Sequence, residues 1–134
     1  MQFTDGKPLR AMGDQEYDIV KSVEPMTKYA VMIDGVTGLI MMKSDILNDF
    51  DTIKVAVGYQ LGDKQVDYFP YEADDTIVPI YREFPGWNCD ICNVRNYDEF
   101  PQQFKDYVAF IEAECGVPVK IISVGPDRDE TIIR

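Results

Sequence analysis

Apolar positions fall in short, separate blocks along the chain, and their spacing changes from block to block. Met26 to Ile33 reads as a short helix, with Pro25 suited to a first helical position and Gly35 to its end. Leu39-Ile40-Met41-Met42 is an unbroken apolar run between Gly38 and Lys43, the pattern of a strand buried in a parallel or mixed sheet. Met41 and Met42 are therefore expected in core or half-buried positions. Ser44 or Asp45 is then placed to cap a turn or two of helix reaching Phe50. From Ile53 to Leu61 the pattern alternates, with Ile53, Val55, Val57, Tyr59 and Leu61 on one face of a strand. Gly62-Asp63-Lys64 is a turn, and Gln65 to Phe69 returns as a hairpin partner. Ile77 to Tyr81 is extended again, and Pro79 marks it as an edge.

Asp98 to Gly116 carries the clearest helical period. Phe104, Tyr107, Val108, Ile111 and Cys115 recur on one face, Pro101 and Glu99 suit the first turn, and Gly116 ends it. A strand over Val117 to Val124 follows, broken by Gly125-Pro126, and Thr131-Ile132-Ile133 is one last short strand. Helices and strands interleave, so the fold class is α/β, a mixed sheet with flanking helices. Residues 1–25 differ, punctuated by Gly6, Pro8, Gly13 and Pro25. They read as a loosely structured, divergent amino-terminal arm or a hairpin, ahead of a domain over 26–134.

Composition narrows the function classes. The 134 residues are 46% apolar and 28% charged, as in an ordinary globular domain. Asp and Glu number 24 against 13 Lys and Arg, a net charge of −11. Nucleic acid demands clustered cations to neutralise phosphates, and anionic membranes demand the same, so neither is an expected partner. No apolar run approaches a membrane span and no secretory signal is visible; a cytoplasmic location is expected. There is no histidine, which removes the usual general base and zinc nitrogen ligand. The cysteines are three, an odd count. Cys89 and Cys92 have CxxC spacing, but they follow Pro85-Gly86-Trp87 and precede a polar stretch. That context reads as loop with reduced thiols rather than a zinc or redox site.

Two strand ends carry candidate chemistry. One is Lys43-Ser44-Asp45 after the first apolar run; the other is Ser123-Val124-Gly125-Pro126 after Ile122. Ligands of open α/β sheets sit beyond the carboxyl ends of strands. If these two strands are neighbours, both segments line one crevice. The residue types suit guanine. One carboxylate, Asp45, can accept both N1–H and the 2-amino group. The stem of Lys43 can lie along the flat base with its ammonium solvated. A bend of small residues lets a backbone N–H approach O6. On spacing alone each segment has a plainer reading, Asp45 as a helix cap and Ser-x-Gly-Pro as a turn. Asp127 to Glu130 reads as a solvated run of charges, and Trp87 as a core or covering aromatic.

The ordered strings Lys43-Ser44-Asp45-Ile46-Leu47, Phe50-Asp51-Thr52-Ile53-Lys54-Val55, Tyr68-Phe69-Pro70, Pro85-Gly86-Trp87, Gly116-Val117-Pro118-Val119 and Ile122-Ser123-Val124-Gly125-Pro126-Asp127-Arg128 resemble the carboxyl-terminal part of the adenylosuccinate synthetase family. The resemblance runs from Met26 to Arg134. It implies the carboxyl-terminal part of that family's P-loop-NTPase-like fold. It also implies a place in a GTP- and Mg²⁺-dependent ligase joining IMP and L-aspartate into adenylosuccinate in purine biosynthesis. The family's guanine-holding segments match Lys43, Ser44, Asp45, Ser123, Val124, Gly125 and Pro126. The family's usual Thr before the Lys is Met42 here.

Other family parts are not recognisable in the chain. There is no glycine-rich phosphate loop and no catalytic His. Thr4-Asp5-Gly6-Lys7-Pro8-Leu9-Arg10 is a weak echo of the family's arginine-rich substrate loop, with Lys7 and Arg10 as its remaining cations. Lys for Arg at a bidentate site is not conservative. The resemblance therefore implies weak GTP binding through the base alone, no recognisable Mg²⁺ ligands and no catalysis by this chain alone. Its expected partners are a guanine nucleotide and either a second copy or a full-length synthetase. The alternative is a non-catalytic guanine-nucleotide-binding or interaction module derived from the family.

Overall fold

The computed structural model describes residues 23–68, 70 and 77–134. The elements are helix α1 (Val23–Asp34), strands β1 (Leu39–Met41), β2 (Thr52–Leu61), β3 (Lys64–Val66) and β4 (Ile77–Pro85), helix α2 (Gln102–Cys115), and strands β5 (Val119–Ser123) and β6 (Thr131–Ile133). Short 3₁₀ turns cover Ser44–Leu47, Tyr97–Glu99 and Arg128–Glu130. Helix α1 begins three residues before the expected Met26, and its earlier Pro25 sits within the first turn.

The chain divides into two compact units, one containing residues 54–82 and the other residues 27–53 and 83–134. In the first, β2 and β3 form a hairpin pairing Tyr59 with Val66 and Leu61 with Lys64. Its two-residue loop starts with Gly62 at φ 57°, the left-handed position that a tight hairpin turn demands. Val55, Ala56, Tyr59 and Val66 are buried there.

The second unit holds a three-stranded mixed sheet in the order β1–β5–β6. β1 runs parallel to β5, pairing Leu39 with Val119, Ile40 with Ile121 and Met41 with Ile122; the register shifts between Leu39 and Ile40. β6 runs antiparallel to β5, pairing Ile121 with Ile133 and Ser123 with Thr131. The expectation of a buried first strand is corrected here. β1 is an edge strand, and Ile40 and Met42 are 62% and 69% exposed. An apolar run reports that a strand belongs to a sheet, not that both of its faces are covered.

Helix α2 buries the expected stripe of Phe104, Tyr107, Val108, Ile111 and Cys115, with Phe110 in addition. Gly116 ends it at φ 71°, its N–H donating to Glu112 O at 2.9 Å. Glu112 ties the helix to the sheet: its carboxylate accepts the Val119 N–H at 2.7 Å and the Arg134 guanidinium at 2.6 Å. Aromatic rings fill the core beside α2. Phe100 stacks on Phe104 at 4.2 Å, Trp87 meets Phe104 edge-on at 4.9 Å, and Phe84 lies 4.7 Å from Phe110. Burial pushes the Tyr107 hydroxyl up to about 12.

Gly86 enters this core by close approach. Its N–H donates to Asp51 O at 2.9 Å, and a β-carbon at 86 would overlap the Phe50 carbonyl. Backbone cannot yield as a flexible side chain does. Gly86→Ala is expected to lower stability by about 1–3 kcal/mol, read as a lower urea midpoint with an unchanged slope. An unchanged midpoint would show that the 50–51 and 86 backbones do not touch.

Candidate functional site

Pairing of Met41 with Ile122 sets the residues following β1 beside those following β5. Both segments open on one cleft of about 650 Å³, within the ~300–1,000 Å³ of small-molecule sites. Met42, Lys43, Asp45 and Ile46 line it from the β1 side, and Ser123, Gly125 and Pro126 from the β5 side. Ile40 and Ile121 give it an apolar wall, and Asp127, Arg128 and Thr131 complete the lining.

On the β1 side the chain turns at Lys43, which holds φ 57° and ψ 41°, a left-handed conformation. For a residue with a β-carbon this costs about 1–2 kcal/mol, and such strain gathers at functional sites. The turn is 3₁₀ rather than the capped helix expected to Phe50. Ile46 N–H donates to Lys43 O at 3.3 Å and Asn48 N–H to Asp45 O at 3.1 Å. Ser44 is buried, and its hydroxyl has no hydrogen-bond partner among the described residues.

Asn48 anchors this turn. It is buried, its side-chain carbonyl accepts the Trp87 indole N–H at 3.1 Å, and its amide donates to Asp90 Oδ1 at 3.1 Å. Asp90 Oδ1 also accepts the Cys92 N–H at 2.9 Å. Hydrogen bonds from the Cys92 thiol and N–H, and then from Asn48, hold the Asp90 carboxyl below its usual range. The Cys92 thiol is pushed up to about 11, first by its hydrogen bond to Asp90, then by burial, then by the charges of Asp90, Asp45 and Glu130. A thiol kept protonated is a poor nucleophile and a poor metal ligand. Cys89 to Cys92 is loop.

On the β5 side Glu130 locks the bend from three directions. Its carbonyl accepts the Val124 N–H at 2.9 Å and its carboxylate accepts the Asp127 N–H at 2.9 Å. A β-carbon at position 125 would overlap that carboxylate, so a side chain there would have to push the Glu130 carboxylate out of its bond to Asp127 N–H. The Asp127 side chain returns a bond to the Glu130 N–H, completing a capping box. The Ser123 hydroxyl donates to Gly125 O at 2.9 Å. Val124 is fully buried and its N–H is taken. The Gly125 N–H makes no hydrogen bond among the described residues.

Five of the seven expected base-site residues therefore line one cleft, while Ser44 and Val124 bury their side chains beside it. Lys7 and Arg10 lie outside the described residues. Sequence reading missed the apolar wall, the Asn48 anchor and the Glu130 brace. Only the brace had a signal, an Asp followed three positions later by Glu, which is a capping-box spacing.

Residues 24–132 match the family model for adenylosuccinate synthetase. The synthetase of Parabacteroides distasonis is 58% identical over 107 residues, covering 80% of this chain and 25% of that protein. That of Phocaeicola vulgatus is 45% identical over 137 residues, covering 96% of this chain and 32% of that protein. The structure of fully ligated adenylosuccinate synthetase from Plasmodium falciparum matches with a TM-score of 0.77 and 28% identity, over 82% of this chain and 27% of that one. The chain belongs to the adenylosuccinate synthetase family, and it spans about a quarter to a third of the length of these relatives. Among the described residues no helix is long and apolar enough to cross a membrane.

Two outcomes test this geometry. Lys43→Gly relieves the left-handed strain and loses some chain entropy advantage, so stability is expected to hold or rise by up to about 1 kcal/mol. A fall in melting temperature would contradict the backbone assignment. For Cys92 the folded-state pKa is raised, so the folded thiol keeps its proton where the unfolded one has lost it. Its alkylation rate is expected to climb about tenfold per pH unit to near pH 11. A plateau near pH 9 would contradict the Asp90 contact.

Proposed function

We propose that this chain forms the guanine-binding, carboxyl-terminal portion of an adenylosuccinate synthetase, the GTP-dependent ligase that joins IMP and L-aspartate in purine biosynthesis. The observation that carries the reading is the meeting of Lys43 and Asp45 with Ser123, Gly125 and Pro126 in one cleft, beyond the carboxyl ends of adjacent parallel strands.

The donor and acceptor set fits a guanine. The Asp45 carboxylate accepts N1–H and the 2-amino group, and the Gly125 N–H donates to O6. The stem of Lys43 and the ring of Pro126 offer apolar surface to the two faces of the base. Adenine would set its 6-amino donor against the Gly125 donor and leave Asp45 without its paired N–H groups. Leaving buried polar groups unpaired is what gives such sites their selectivity.

The same fit sets a limit. GTP when bound in a whole synthetase supplies phosphoryl chemistry, which depends on Mg²⁺, backbone N–H groups and a lysine around the phosphates. The cleft residues address the base. Among the described residues no three carboxylate, thiol or imidazole groups gather as a metal site, so the proposal assigns Mg²⁺ to no described residue. Base contacts alone correspond to millimolar affinity, roughly 4 kcal/mol, and the chain by itself turns over no IMP.

Titration followed by ligand-observed NMR tests the reading. GTP and GDP are expected to bind at least tenfold more tightly than ATP. Losing charge-assisted hydrogen bonds worth about 1.5–3 kcal/mol, Asp45→Asn is expected to weaken GTP roughly 10- to 150-fold. Xanthosine triphosphate presents a carbonyl in place of the 2-amino donor, so Asp45→Asn is expected to prefer it to GTP. Equal binding of ATP and GTP, or an unchanged preference in Asp45→Asn, would remove the proposal.

A further inference from the structure

The bend after β5 is built around one carboxylate that does not itself line the cleft. Gly125, Pro126, Asp127 and Arg128 belong to the lining, and Glu130 stands behind them. Glu130 Oε2 accepts the Asp127 N–H at 2.9 Å. The same oxygen occupies the space where a β-carbon of Gly125 would stand. The Glu130 carbonyl accepts the Val124 N–H at 2.9 Å, and its own N–H donates to the Asp127 side chain. Gly125 holds no positive φ, so glycine is not needed here for its rotation. The missing side chain supplies room, and the carboxylate fills it.

That seat bears on one peptide plane. The Gly125 N–H lies in the rigid plane joining the Val124 and Gly125 α-carbons. At the first α-carbon the plane is held by burial of the Val124 side chain and by the bonded Val124 N–H. At the second it is held by Glu130 Oε2 against Gly125. The Ser123 hydroxyl fixes the next carbonyl, donating to Gly125 O at 2.9 Å. Glycine otherwise turns widely about its own N–Cα bond, which would swing the N–H away from the cleft. We propose that Glu130 is a positioning residue for selectivity at purine position 6: by seating Gly125, it aims the Gly125 N–H at the 6-oxo group of the base. This role rests on the guanine reading of the cleft. It gives position 6 to the Glu130–Gly125 pair and leaves position 2 to Asp45, so the two selectivities are separable. A donor fixed before binding keeps its preference for an acceptor, and a donor free to turn away loses it.

Three diphosphates separate the contacts. GDP carries both the 6-oxo and the 2-amino group. In 6-thio-GDP sulfur, a weak acceptor, replaces the oxygen. Inosine diphosphate lacks the 2-amino group. Dissociation constants of the full chain are read by ligand-observed NMR in weakly acidic buffer, where the thio base keeps its N1 proton. For the wild type, GDP is expected to bind about three- to tenfold more tightly than either analogue. Glu130→Ala is expected to bring the ratio of GDP to 6-thio-GDP near unity and to leave the ratio of GDP to inosine diphosphate unchanged. Each ratio cancels any change in the attraction of the phosphates. Glu130→Gln keeps an oxygen for the Asp127 N–H and is expected to keep both ratios. Glu130→Met fills the space without accepting a hydrogen bond and is expected to behave as the alanine variant; it keeps the question answerable should that variant not fold. Both ratios unchanged in Glu130→Ala and Glu130→Met would overturn the role. Loss of both ratios together would overturn it too, since that marks a merely structural brace. A wild-type chain that binds GDP no better than ADP removes the guanine reading and this role with it. A wild-type chain that prefers GDP to ADP, with a 6-thio ratio that Glu130 does not control, removes this role alone.

Discussion

Three residue pairs between β1 and β5 decide that the two loops following these strands share one cleft. Because the two strands run parallel, both chains leave the sheet at the same end. An antiparallel pairing would have sent Lys43 and Asp45 to one end and Gly125 to the other. β1 is only three residues long, so its own hydrogen bonds are few. It is held in register from outside, by Leu39 N–H on Pro118 O at 2.8 Å at one end and by the Ser44–Leu47 turn at the other.

The two loops are stiffened by different means. The bend after β5 is self-contained: Glu130 satisfies Val124 and Asp127 at once and fills the space that any side chain at 125 would need. The turn after β1 is anchored at a distance, through Asn48, to Trp87 in the aromatic core and to Asp90 in the following loop. Asn48 uses both its carbonyl and its amide in these bonds, which fixes its orientation and favours one arrangement of the turn. A site whose walls are fixed before binding loses less conformational freedom when a ligand enters. Lys43 holds a left-handed backbone inside this frame. The surrounding bonds over-determine it, which is the condition for strain to persist.

Much of this was legible in the sequence, because the informative signals are local. The stripe on α2, the alternation in β2, and the glycines at 62 and 116 follow from periodicity and backbone freedom alone. The pairing of Lys43-Ser44-Asp45 with Ser123 to Pro126 was legible only as a condition, that the two strands be neighbours, and that is a non-local fact. The exposure of Ile40 and Ile133 was not legible. Ile40, Ile121 and Ile133 look like core residues in the sequence because apolar patterning records membership of a sheet, while coverage depends on what else packs there. Asn48 carried no signal, since its partners Trp87 and Asp90 lie about forty residues away. Ser44 and Val124 are the middle positions of the two segments that carry the family resemblance, but side chains alternate as the chain turns and these two fall inside.

The proposed guanine site is the one cleft formed by these two loops. Backbone amide NMR on the ¹⁵N-labelled chain reads it residue by residue. On addition of GDP, the largest shifts are expected at Gly125 and Asp45, smaller ones at Lys43 and Ser123, and none along the Lys64–Tyr68 concavity on the hairpin. Shifts concentrated on Lys64 to Tyr68, or spread evenly with Gly125 unmoved, would contradict it.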